Sequence, residues 1–346
     1  MTASTENPSL YGSQQDYTTM FQMIFGGYVS QVVYTVARLS FAEHFARGVR
    51  TPEGIAEAES LDVQATFRLM RACVSSGLLR YDAKTGFSST PLLDVLHADA
   101  PNSMRGVALI IPAQGHWLPW GRLEHAVRSG EPQAVAALGK SAWQHLADTP
   151  DEAAAFALTM KSVSQVFNGE AVKHIATGQS TLAVDIGGAN GTLVHALMMA
   201  NSDLQGRVFD LPHVVPTAID AAREHGLEAR FSVTGGDFLT DALPAGDLYL
   251  LKLILHDWDD QTCASLLANC RNSIRAKGRL IIVEQLLGDI NEPGFNPLMD
   301  LDMLVMLGGK ERTLPEYTTL LAAHGFKVTG VTPTASPFAI IEAVAV

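Results

Sequence analysis

The 346-residue chain is poor in cysteine, in basic charge and in long apolar runs. Its three cysteines, Cys73, Cys263 and Cys270, form no CxxC pair and no zinc spacing, which excludes a disulfide scaffold. Only 24 side chains are Lys or Arg against 36 Asp or Glu, a net charge of −12. A chain this acidic repels phosphate backbones, so no nucleic-acid partner is expected. No uninterrupted apolar run approaches the roughly 20 residues needed to span a bilayer, so no membrane partner is expected. The opening stretch MTASTENPSLYGSQQDY lacks the basic and apolar regions of a signal peptide. There is no internal repeat, no low-complexity tract and no His/Cys/Asp/Glu group at metal-ligand spacing, so no metal is expected. What is present is apolar: 47% of residues are hydrophobic, enough to exclude disorder as the main state. These features describe a soluble, cytoplasmic protein, and the length suggests about two domains.

Residues 1–18 are polar and read as loose; a helical pattern dense in apolar residues runs from Met20 to about Val95. Thr51-Pro52-Glu53 has the form of a helix start: a cap, a proline at the first position, an acid in the first turn. A helix is expected from Asp62 through Ser76, with Phe67, Met70 and Val74 on its inner face and Gly77 as its stop. Leu78–Tyr81, a turn at 82–86 and Phe87 read as a small hairpin. Short helices followed by a hairpin make a winged-helix module. Winged helices often bind DNA, but residues 1–100 hold 7 basic against 10 acidic side chains, and a DNA reader needs a basic face. A packing or dimerisation role is the better expectation. Residues 101–175 read as further helix, broken at Gly130-Glu131-Pro132.

From Thr181 the pattern alternates. Strands are expected at 181–185, 207–210, 230–233, 247–252 and 279–284, with helices such as 192–200 and 260–276 between them. Short continuously apolar strands alternating with helices predict an α/β fold: a Rossmann-like, mostly parallel sheet buried on both faces. The last two strands, 326–329 and 339–344, lie too close for a crossover helix and should pair antiparallel.

Val184-Asp185-Ile186-Gly187-Gly188-Ala189-Asn190-Gly191 closes the first of these strands with a glycine turn that lets backbone approach a ligand. Asp210 ends the next strand, where a doubly wound sheet presents an acid to a ribose. The spacing is not the GxGxxG of a dinucleotide site, and no Lys or Arg stands near to seek phosphate. An acid before the turn, Asp185, suits a cationic ligand with a ribose, as in S-adenosylmethionine. Gly235-Gly236-Asp237-Phe238 ends the third strand; its carboxylate and ring suit an adenine. The fourth strand runs into His256-Asp257-Trp258-Asp259-Asp260. His256 stands where open α/β sheets bind ligands, and its unperturbed pKa of about 6.5 suits a general base at neutral pH. Glu284 or Glu311 would fix its tautomer.

In this order, VDIGGANG (184–191), FDLPHV (209–214), GGDFL (235–239), LHDWDD (255–260) and GGKERT (308–313) resemble the S-adenosylmethionine-dependent O-methyltransferases of the plant caffeate and hydroxyindole type and their bacterial secondary-metabolism branch. The resemblance spans nearly the whole chain. It implies an N-terminal winged-helix dimerisation domain (1–100), a helical segment contributing to the substrate pocket (101–175) and a methyltransferase domain (176–346), assembled as a homodimer. It implies S-adenosylmethionine as cofactor, held by Gly187, Asp210, Gly236, Asp237, Phe238 and Lys252, with Met160 and Ser164 on the helix containing FALTMKSVS (156–164). It assigns His256 as the base flanked by Glu284 and Glu311, with Asp257 beside it on the substrate side. Phe156, Met303, Met306 and Leu307, with His116, Trp117 and Trp120, are candidate walls for a small aromatic substrate. The family's turn is usually GGGTG or GGGSG, so Ala189 and Asn190 are departures. Some members keep the cofactor but hydroxylate or decarboxylate, and that remains the competing activity.

Overall fold

The computed structural model describes residues 12–291 and 294–346, apart from the side chains of residues 165 and 166. The chain forms two compact units, Met1–Ala113 and Gln114–Val346.

The first unit runs α1 (Gln14–Arg38), α2 (Phe41–Ala46), α3 (Pro52–Glu59), α4 (Val63–Ser75), β1 (Leu79–Asp82), β2 (Gly86–Ser89), α5 (Pro91–Asp94) and α6 (Arg105–Ile110). Helix α1 starts earlier than its apolar pattern indicated. Ser13 and Asp16 form a reciprocal capping box, in which the Ser13 amide donates to Asp16 Oδ2 at 2.7 Å. Of the stretch expected to be loose, residues 14–18 are therefore helical, and residues 1–11 lie outside the described residues. Thr51 caps α3 with Pro52 at its first position, and Asp62 caps α4. Met70 is buried under α4 but Phe67 is half-exposed, its ring meeting that of Phe87 edge-on. β1 and β2 pair antiparallel as the wing. The core of this unit gathers Val36, Phe41, Phe45, Ile55, Met70, Cys73, Leu79 and Leu93. By contrast the first half of α1 exposes Phe21, Ile24, Phe25 and Tyr28; the Phe25 ring meets Phe21 at a tilt and Tyr28 edge-on.

The second unit opens with helices α7 (Gln114–Trp120), α8 (Leu123–Ser129), α9 (Ala134–Leu138), α10 (Ala142–Asp148) and the long α11 (Pro150–His174). Then follow β3 (Leu182–Ile186), α12 (Thr192–Ala200), β4 (Gln205–Asp210), α13 (Val215–Glu224), β5 (Phe231–Gly235) and β6 (Leu248–Lys252). After a one-turn 3-10 helix at Leu255–Asp257 come α14 (Asp260–Ser273), β7 (Arg279–Gln285), α15 (Asn296–Met306), α16 (Leu314–Ala323), β8 (Phe326–Pro333) and β9 (Phe338–Ala345). The sheet order is β5-β4-β3-β6-β7-β9-β8. β3 to β7 are parallel, while β9 runs antiparallel to both neighbours, β7 and β8.

Strand alternation explains the burial. Val184, Ile186, Tyr249, Leu251, Leu280 and Ile282 point into one apolar cluster. Ala183, Leu248, Leu250, Ile281 and Val283 point into another on the opposite face. The apolar residues of these strands find cover on both faces, which a half-exposed sheet would not give. The order reverses at β3, so a crevice opens beyond the carboxyl ends of β3 and β6. Among the described residues no helix is long and apolar enough to cross a membrane.

Candidate active site

The turn after β3 brings backbone to the crevice. Gly187 has φ +68°, and a Cβ there would lie 2.5 Å from Ile254 Cδ1, so only glycine fits. Ala189 shares the left-handed conformation at φ 49°, a strain of about 1–2 kcal/mol for a residue with a side chain. Its amide donates to Asp210 Oδ2 at 2.8 Å, and the Leu211 amide donates to Oδ1 at 2.7 Å. Asp210 is thereby aimed, and each oxygen keeps a lone pair for a diol. Burial holds its pKa above the usual carboxylate value, against those two amides. Buried Gly236 donates its amide to the Asp210 carbonyl at 2.9 Å, which sets Asp237 and Phe238 beside Asp210. Asp237 Oδ1 accepts from the Leu239 amide, and the Phe238 ring meets Trp258 edge-on with centroids 6.1 Å apart.

Asp185 is only 2% exposed and lies under the turn, against Gly188, where its Oδ2 accepts from the Val194 amide. Burial raises its pKa to about 7, which the nearby Lys252 ammonium opposes. Lys252 Nζ donates to Ser164 Oγ at 2.8 Å, and burial lowers its own pKa. Phe156, Met160 and Ser164 follow one another at four-residue spacing on α11, a single slowly turning stripe. Asn168 continues that stripe and escaped the sequence reading. Its amide nitrogen donates to the Thr192 carbonyl at 3.1 Å, while its Oδ1 is buried and unpartnered among the described residues. The signal was there in the spacing, but nothing local singled out an asparagine. An aimed carboxylate, a glycine cradle, an acid–ring pair and this open acceptor fit the ribose, backbone, adenine and ammonium parts of S-adenosylmethionine.

The second half of the site is built from three distant segments. His256 sits in the 3-10 turn after β6 and is 8% exposed. Its Nδ1 is 2.8 Å from Glu311 Oε1 and 3.8 Å from Glu284 Oε2. Glu284 Oε1 instead accepts from the Ile254 and Leu255 amides at 3.1 and 2.9 Å. The two acids, equivalent on sequence grounds, thus divide their contacts: Glu311 meets the imidazole, and Glu284 meets mainly the turn carrying it. On its other side His256 Nε2 lies 3.3 Å from Asp257 Oδ1.

This environment corrects the expectation of an unperturbed histidine. Burial alone would lower its pKa, but Glu284, Asp257 and the Glu311 hydrogen bond raise it to about 10. Burial likewise raises Glu284 to about 7 and Asp257 to about 6, with His256 opposing in both cases. The fold brings together the histidine and both acids expected beside it, a His256–Glu284–Glu311 group in which one side-chain N or O atom from each residue lies within 4.8 Å of the others. A 2.8 Å N···O separation is hydrogen-bond distance. Donors bound to one tetrahedral ion at about 2.0–2.1 Å stand farther apart than this pair.

The substrate candidates separate. Asp302, which the sequence reading missed, is buried on α15 and accepts from Trp120 Nε1 at 2.6 Å. It acts electrostatically on both Asp257 and His116, whose pKa is lowered chiefly by burial. Met303 is buried on the same helix. Met306 and Leu307 pack instead with Ala126, Ala134, Ala142 and Val305 in a helical core cluster. Phe156 meets the Trp143 ring edge-on, and Trp117 is 43% exposed.

A Rossmann-like sheet with a glycine turn, a strand-end acid, an acid–ring pair and a buried histidine–carboxylate group beyond its carboxyl ends has the form of a nucleoside-dependent transferase site. Comparison with known proteins narrows the class: residues 120–327 match the O-methyltransferase domain family and residues 21–112 the O-methyltransferase dimerisation domain. The chain belongs to this family. It is 34% identical to the phenazine O-methyltransferase PhzM of Lysobacter antibioticus, over 94% of this chain and 95% of that one. It is 32% identical to the O-demethylpuromycin-O-methyltransferase of Streptomyces alboniger, over 98% and 91%. The crystal structure of human N-acetylserotonin methyltransferase in complex with S-adenosylmethionine superposes with a TM-score of 0.86, at 28% identity over 97% of this chain and 99% of that one. The chain is an S-adenosylmethionine-dependent O-methyltransferase.

Proposed function

We propose that the enzyme methylates a phenolic or enolic hydroxyl of a small aromatic metabolite, with His256 as general base. The observation carrying this reading is the buried His256 beyond β6, whose Nδ1 lies 2.8 Å from Glu311 while Nε2 lies on the opposite side, 3.3 Å from Asp257 Oδ1, where an acceptor hydroxyl would share or displace that contact. Gly187, Asp210, Gly236, Asp237, Phe238 and Lys252, with Met160, Ser164 and Asp185, would hold S-adenosylmethionine. When bound, the cofactor supplies an electrophilic sulfonium methyl group.

The chain's own residues handle the proton. A phenol has a pKa near 10 and is a poor nucleophile while protonated. Passing its proton to an imidazole of pKa 6.5 would cost roughly 5 kcal/mol, at 1.36 kcal/mol per unit. Raised to about 10, the His256 imidazole matches a phenol in proton affinity, but at neutral pH it carries a proton that it must first give up, so the neutral base is populated on the alkaline side. Glu311 stabilises the imidazolium, and Glu284 holds the turn that presents it. Asp257 and Asp302 would accept from an O–H or N–H beside the reacting oxygen. His116, Trp117, Phe156 and Met303 are proposed to border the aromatic acceptor, with residues 101–175 supplying part of that wall; Met306 and Leu307, packed in the helical core, are set aside.

We further propose a cytoplasmic homodimer formed through residues 1–100, supported by the exposed apolar face of α1. Ile24→Asp should convert a dimer to a monomer in light scattering; an unchanged dimer would move the interface elsewhere. The test of the activity is a panel of aromatic phenols with isotope-labelled methyl donor. The expected product gains one labelled methyl. A product altered without gaining that methyl would favour the hydroxylating or decarboxylating alternative.

A further inference from the structure

Arg312 is the largest fully buried side chain among the described residues, at 1% exposure, and no role above accounts for it. A buried guanidinium is tolerated only when its donors are satisfied. Here they are, and the acceptors share one address. Nη1 donates to the Leu255 carbonyl at 2.8 Å and more weakly to the Lys310 carbonyl at 3.4 Å. Nη2 donates to the Trp258 carbonyl at 2.9 Å. Nε and Nη2 both reach Asp260 Oδ1, at 3.1 and 2.8 Å. Residues 255, 258 and 260 bracket His256.

The turn they bracket needs holding. Leu253 just before it is left-handed, at φ 56°, a conformation that persists only when surrounding contacts over-determine it. Glu284 fixes the turn's amides, and Arg312 fixes its carbonyls. The segment carrying Arg312 also grips the histidine's own backbone. The Lys310 amide donates to the His256 carbonyl at 2.9 Å, and Gly309 packs so close that a Cβ would lie 2.0 Å from that oxygen. Glu311, between them, holds the ring.

We infer that Arg312 is a positioning residue for methyl transfer: its fork fixes the turn that aims His256 at the acceptor. The inference rests on the reading of His256 as base. Lysine cannot substitute, because its three donors radiate from one nitrogen, whereas the planar guanidinium spans 255, 258 and 260 at once.

The test is Arg312→Lys in the full-length enzyme, with Arg312→Met beside it. We expect kcat to fall about 100-fold in the lysine variant, the scale of a small misplacement of a catalytic group. KM for the phenol and the S-adenosylmethionine Kd from calorimetry should stay within about threefold. In labelled-histidine NMR the His256 titration should move down in pH as its carboxylate contacts loosen, although the charge behind the turn is kept. Full kcat with an unmoved His256 titration would overturn the inference. So would losses of cofactor affinity and thermal stability in step with kcat, or a lysine variant that does not fold, since either makes Arg312 a structural residue only. If the wild-type enzyme methylates no phenol, the proposed function fails, and the His256 titration still decides the positioning of the ring.

Discussion

The cofactor edge and the base turn lie beyond adjacent strands, β3 and β6, yet they are built by opposite means. The cofactor edge takes its acid from the neighbouring strand end, 21 positions from the glycine turn, although its Lys252–Ser164 contact spans 88. Gly187, Ala189 and Asp210 come from two neighbouring strand ends, and their polarity is mostly backbone N–H meeting half-exposed carboxylate. The base turn is long-range. His256 meets acids 28 and 55 positions away in the chain, all three buried, and charge meets charge. The first arrangement suits a ligand that arrives and leaves as a whole. The second suits a proton, whose affinity must be tuned by burial and neighbouring charge.

The sharpest break of that contrast is His256→Ala. Loss of a general base should cost about 1,000-fold in kcat, within the usual range for such groups, while the S-adenosylmethionine Kd stays put. A large change in that Kd would mean the two halves are not separable.

Glu311→Gln tests the charge half alone. It keeps the shape and removes one negative neighbour from His256, so kcat should fall by about 10- to 100-fold. The sign of the pH effect follows from the same charge. The wild-type imidazole must lose a proton to act, and its pKa of about 10 puts the rising limb of kcat/KM on the alkaline side. Removing the carboxylate lowers that pKa, so the limb moves to lower pH. A limb that stays in place would show that Glu311 does not set the proton affinity.

Asp210→Asn tests the other half. Losing a charge-assisted contact worth about 1.5–3 kcal/mol should weaken cofactor binding by about 10- to 100-fold in calorimetry, leaving kcat at saturating cofactor nearly unchanged. The smallest effect is expected from Ala189→Gly. Relief of the left-handed strain, about 1–2 kcal/mol, is offset by about 0.5–1 kcal/mol of added chain entropy. Melting temperature should rise slightly and cofactor affinity hold within about threefold. A drop in stability would mean that the Ala189 methyl is packed rather than merely tolerated.

The same contrast governs what could be read in advance. The glycine turn, Asp210 and the Asp237–Phe238 pair are legible because each is written in consecutive residues at a strand end. The helix at 192–200 and the antiparallel final strand are legible for the same reason, a clear period or a loop too short for a crossover. Helix α1 was entered too late because its start is polar and lies in a cap, outside any apolar period. Asn168 and Asp302 carry no local signal of their own, and Arg312, though inside GGKERT (308–313), has no partner within that motif that would mark it beside Glu311. Asp302 and Arg312 become meaningful only against Trp120 and Leu255, 182 and 57 positions away.

Local period and local backbone freedom are enough to fix the alternating sheet, the glycine turn with Asp210 at the next strand end, and the place of His256 beyond β6. Only the tertiary structure decided the histidine's proton affinity, the different contacts of Glu284 and Glu311, and the clamp on the turn. A pKa depends on how many charges surround a group and how little water does, and neither is a property of the residues beside it in the chain.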